Sequence, residues 1–86
     1  MKSMNTGLRV IVVGSREFVE VYGIQGVKRV VITDPLEFMM KLREIVNERY
    51  VSMILVEEKF LDEFRDEIKR LKLDHPLPLI VGMPGP

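Results

Sequence analysis

The chain has 86 residues, 47% of them apolar and 30% charged, with thirteen acids balanced by thirteen bases and no cysteine. That length makes one domain, near the lower end of what buries a self-sufficient core. The balanced charge argues against general nucleic-acid or membrane-surface binding, which needs a basic footprint, and the lack of cysteine excludes disulfides, thiolate metal sites and cysteine catalysis.

Met1 to Gly7 is polar and reads as a disordered N-terminus without a signal peptide. Leu8-Arg9-Val10-Ile11-Val12-Val13 is β-branched and nearly continuous, the pattern of a strand covered on both faces. Its central apolar stretch, Val10 to Val13, is far too short to cross a bilayer, so direct membrane insertion is not expected. Gly14-Ser15 breaks the run, and Ser15 is a helix N-cap candidate. A short helix is expected over Arg16 to Tyr22, ending near Gly23 or Gly26.

Val30-Val31-Ile32-Thr33 reads as the second strand, and Asp34-Pro35 as an N-cap with proline at the first helical position. The second helix is expected from Pro35 to Glu48, with Phe38, Met39, Leu42, Ile45 and Val46 on one face. Met53-Ile54-Leu55-Val56 is the third strand, ended by Glu57-Glu58. One helix is then expected over Lys59 to Lys72, where Phe60, Leu61, Phe64, Ile68 and Leu71 repeat at three and four. Leu79 to Val81 reads as a short, fully buried final strand, with prolines confined to its ends. Met83 to Pro86 reads as a stiff exit segment.

The order is βαβαβαβ. Short strands alternating with single helices imply right-handed crossovers and a parallel sheet. The expected fold is therefore α/β: one domain over residues 1–86, with a four-stranded parallel sheet in the order 2-1-3-4 flanked by helices, a receiver- or flavodoxin-like arrangement.

In such a sheet a site belongs at the carboxyl ends of the strands. That edge carries Gly14, Ser15, Arg16, Asp34, Glu57, Glu58 and Gly82 to Pro84. Gly14-Ser15 before a helix could hold a phosphate on its N–H groups, but the spaced glycines of a dinucleotide loop and a Gly-Lys-Ser/Thr triplet are missing. A phospho-receiver needs converging acids for a hard cation, and Asp34 with Glu57 does not supply them. His75 is the lone histidine and builds neither a nucleophilic pair nor a zinc site by itself. No catalytic, cofactor-binding or metal-ligating residue is therefore assigned. Phe18, Val21, Tyr22 and Ile24 are many apolar groups for one inward stripe on a short helix, so either some face out toward a partner or all of them pack into the core.

Two segments carry a resemblance. Gly23-Ile24-Gln25-Gly26-Val27 leads directly into the second strand, and Pro78-Leu79-Ile80-Val81-Gly82-Met83-Pro84-Gly85-Pro86 closes the chain. With the element order, they make Leu8 to Pro86 similar to the F subunit of the archaeal A-type and vacuolar V-type rotary ATPases. The resemblance implies a non-catalytic protein that binds the coiled-coil D subunit of the central stalk and couples ATP turnover to rotation and ion transport. It would sit in the cytoplasm, peripheral to the membrane, with no cofactor. The chain departs from the family in reading Gly14-Ser15 where members carry Gly-Asp. It also stops at Pro86, where members continue into a helix thought to reach the catalytic A and B subunits. Docking is expected at Arg16, Phe18 and Tyr22 around the first helix, and at Met83 and Pro84 in the exit. The competing expectation is a stand-alone receiver-like regulator or small-ligand-binding domain using Gly14, Ser15 and Asp34.

Overall fold

The computed structural model describes residues 9–86, so the expected disorder of residues 1–7 lies outside the described region. Four strands form the sheet: β1 (Val10–Gly14), β2 (Lys28–Val31), β3 (Met53–Glu57) and β4 (Leu79–Met83). All pairings are parallel and the order is β2-β1-β3-β4, as the alternation of strands and helices predicted. Four α-helices connect and flank the strands: α1 (Arg16–Tyr22), α2 (Phe38–Val46), α3 (Glu58–Glu63) and α4 (Arg65–Asp74).

Register divides the apolar residues between two faces. Ile11, Val13, Ile54, Val56 and Ile80 point to one face and pack against Phe38, Leu42, Ile45, Phe60, Ile68 and Leu71 of α2, α3 and α4. Val12, Val31, Leu55 and Met83 point to the other face and pack with Phe18, Val19 and Tyr22 of α1. Continuous β-branched strands suit this arrangement because both of their faces are covered near the sheet centre.

The helix boundaries follow local chemistry. Ser15 Oγ accepts from the Phe18 N–H at 3.3 Å and starts α1, while the Gly23 N–H donates to the Val19 carbonyl at 2.8 Å and ends it. The last turn of α1 carries no basic residue. Arg29 of β2 supplies the charge from outside, donating from Nη2 to the Gly23 carbonyl at 2.8 Å. Asp34 accepts from the Leu36 N–H at 3.0 Å, but the turn it caps is a 3-10 turn over Pro35–Glu37, and α2 begins only at Phe38.

Four expectations about element bounds need correction. The second strand, expected over Val30 to Thr33, spans Lys28–Val31, paired with β1 from Ile11 to Gly14. The helix expected over Lys59 to Lys72 is two helices, broken at Phe64, whose φ of −111° and ψ of 35° leave the helical region. The rings of Phe60 and Phe64 both stack on Phe38, at centroid distances of 4.8 and 5.5 Å. Bringing both rings to one partner bends the chain between them. Two backbone bonds still flank the bend, from the Phe64 N–H to the Phe60 carbonyl at 3.0 Å and from the Ile68 N–H to the Phe64 carbonyl at 2.9 Å. The helix expected to run to Glu48 stops at Val46, because the N–H groups of Asn47 and Glu48 tighten into bonds with residues three back.

The final strand is longer than expected and is not fully buried. It runs to Met83 at the sheet edge, where Ile80 is buried but Leu79 is 51% exposed. The Leu79 N–H donates to the Ser52 carbonyl at 3.1 Å. By strand alternation, Pro78, Ile80, Gly82 and Pro84 then direct their backbone groups away from β3. The two prolines therefore sit where no ladder donor is lost.

Candidate docking surface

The carboxyl edge of the sheet brings together the β1–α1 turn, the end of β3 and the exit from β4. Glu57 stands at its centre. It is 5% exposed, the one buried charged side chain among the described residues. Oε1 accepts from the Ser15 N–H at 2.9 Å, and Oε2 lies 3.8 Å from the Lys59 ammonium. A Cβ added at Gly85 would fall 2.6 Å from Oε2, so the exit segment presses on the same carboxylate. Sequence reasoning placed Glu57 at this edge and missed its role. An acid ending a strand is common, and only the fold puts it beside Ser15.

This geometry bears on the small-ligand alternative. The Ser15 N–H that a phosphate would need already binds a carboxylate of this chain. The Ser15 hydroxyl caps α1. Asp34 is spent capping the 3-10 turn at Leu36. Among the described residues no three His, Asp or Glu side chains converge on a point that could hold a metal ion.

Of the five residues expected at the docking surface, four lie at the surface on the α1 side. Arg16 is exposed at the first turn of α1 and Pro84 is exposed in the exit. Tyr22 is half-buried, and its hydroxyl donates to the Pro84 carbonyl at 2.9 Å. Met83 is half-buried against the same cluster. Phe18 is the exception. It is fully buried beneath Tyr22, with ring centroids 4.6 Å apart, so the expected exposure of Phe18 is corrected. A β1–α1 connection of one residue brings α1 straight back over the sheet, and position 18 then faces Val12 and the space above Gly14. A Cβ at Gly14 would strike the Phe18 ring. The apolar excess of this segment does emerge elsewhere, at Val21 (61% exposed) and Ile24 (67% exposed).

The largest part of the surface was missed. α1 has seven residues, a length of about 10 Å, and packs over β1 and β2. Four strands spaced about 4.8 Å apart make a wider platform. On the α1 face of β3 and β4 the side chains of Met53, Leu55, Val81 and Met83 are therefore only half-covered, and Leu79 is exposed. Alternation in Met53 to Glu57 and Leu79 to Met83 could have assigned these residues to one face. The shortness of α1 was the signal that no helix among the described residues fully covers them.

No helix of the described residues is long and apolar enough to cross a membrane. A family model described as ATP synthase (F/14-kDa) subunit matches residues 10–86, from the first residue of β1 through the exit segment. No curated protein and no solved structure gives a significant match.

Proposed function

Since this chain belongs to the ATP synthase (F/14-kDa) subunit family, we propose that it is a non-catalytic stalk component of a V/A-type rotary ATPase. In this reading it works by binding the coiled-coil D subunit of the stalk in the cytoplasm, peripheral to the membrane. It moves with the stalk and helps couple ATP turnover to rotation and ion transport.

The observation that carries this reading is the half-covered sheet face over β3 and β4, beside Tyr22 and the exit segment. A parallel sheet is ordinarily buried on both faces by helices. Here the position next to α1 has the width of one helix, about 10 Å. A stalk helix lying across Leu55, Val81 and Met83, with Tyr22 and Pro84 at its side and Arg16 at the rim, completes the layer. The apolar side chains supply the affinity, and the rim sets orientation. Phe18 contributes from beneath, by holding the Tyr22 ring in place.

The test is to mix this protein with the coiled-coil stalk protein from the same source and measure mass by light scattering after size exclusion. A one-to-one complex is expected, lost when Val81 or Leu55 is replaced by glutamate. Two separate peaks at micromolar concentrations, or a complex indifferent to both substitutions, would overturn this assignment of the surface.

A further inference from the structure

A second surface lies on the opposite side of the sheet. Phe64 turns one flank of the α3–α4 pair toward α2, where its ring stacks on Phe38. Leu61 turns the other flank toward the outer strand, lying against Gly82 of β4. Along that outer flank runs a groove of about 360 Å³ lined by Leu61, Asp62, Arg65, Ile68, Lys69 and Lys72. Leu61 and Ile68 give it an apolar floor. Arg65, Lys69 and Lys72 follow one another at i, i+4 and i+7 of α4, so they stand on one side of the helix. Asp62 is the one acid of the lining and is tied to Arg65 at 3.7 Å. Lys69 and Lys72 make no ion pair among the described residues. A chain of zero net charge thus gathers three bases around one small apolar groove.

We infer that this groove docks an acidic helix of a partner protein. A helix laid along α4 has the same rise of about 1.5 Å per residue, so carboxylates at i, i+4 and i+7 meet the three bases in register. An apolar residue at i+3 on the same stripe reaches the floor between Leu61 and Ile68. Opposite charges then fix the register and speed the encounter, while the single apolar contact limits dissociation. A long polyanion fits less well. Glu63, Asp66, Glu67 and Asp74 stand on the neighbouring faces of the same two helices and repel an extended phosphate backbone. The groove shares no residue with the face proposed for the stalk, so either surface can fail without the other.

The probe is a helical peptide of about 20 residues, long enough to fold in water, with glutamates at i, i+4 and i+7 and leucine at i+3. It is titrated into the isotope-labelled full chain and followed by amide chemical shifts. Shifts are expected within residues 61–72, with an affinity that falls as salt rises. Replacing the peptide glutamates by glutamine should weaken binding at least tenfold, and Lys69→Glu with Lys72→Glu in the protein should do the same. Both lysines are exposed, and a circular dichroism melt of the double variant checks that it stays folded. Absence of shifts at about 1 mM peptide, equal binding of the glutamine peptide, or shifts confined to the α1 side would overturn the inference. Tighter binding of duplex DNA or of anionic vesicles than of the peptide would overturn it as well.

Discussion

Glu57 accepts a hydrogen bond from the Ser15 N–H at 2.9 Å, closing a span of 42 residues between the end of β3 and the start of α1. Removing the acceptor leaves that part-buried N–H without its partner, which costs about 1–3 kcal/mol. Glu57→Ala should therefore lower unfolding free energy by that amount in a urea titration. Glu57→Gln keeps a carbonyl oxygen for Ser15 and should lose clearly less. Equal losses in the two variants would mean that the charge, and with it Lys59, matters more than the hydrogen bond.

Phe18 and Tyr22 should separate in their effects, although they lie in contact. Phe18 is fully buried, so Phe18→Ala should cost about 3–5 kcal/mol of stability. Tyr22→Phe removes only the hydrogen bond to the Pro84 carbonyl and should cost less than about 1 kcal/mol. Its signature should be amide shifts at Met83 and Gly85, measured by heteronuclear NMR, with the melting temperature nearly unchanged.

The half-covered face makes the complementary prediction. Leu55 and Val81 are only partly buried in the isolated chain, so Val81→Glu should cost about 1 kcal/mol or less in stability, and Leu55→Glu more, because Leu55 packs against the α1 cluster. Affinity for the coiled-coil stalk protein should nevertheless drop more than tenfold, because a charge would be buried without a partner in the complex. Calorimetric titration with the wild type and both variants reads this directly.

Gly26 offers a backbone test free of packing. Its φ is +88°, and a Cβ there would meet no atom within 4 Å. Gly26→Ala should cost about 1 kcal/mol from the left-handed backbone alone, seen as a lower thermal midpoint with unchanged contacts. A neutral result would mean that the loop before β2 relaxes to negative φ without penalty.

Much of the fold was legible because it rests on local periodicity. The continuous apolar runs at Val10, Val30 and Met53, the Ser15 and Asp34 caps and the striped second helix each signal their own element. Parallel order and strand sequence then follow from connection lengths and handedness. The break at Phe64 was not legible. No glycine or proline stands between Glu58 and Asp74, and the cause is a pair of ring contacts with Phe38, twenty or more residues away in the chain.

The docking surface divides along the same line. The sequence alone placed the family resemblance, the carboxyl edge and the excess of apolar groups around the first helix, since these depend on residue types and spacing. Only the tertiary structure decided which of those groups are presented. Phe18 went inward because α1 folds directly over Gly14, and Leu55 and Val81 stayed half-bare because α1 is too short to cross four strands. Exposure is set by what lies above a side chain, and what lies above it comes from residues distant in the chain.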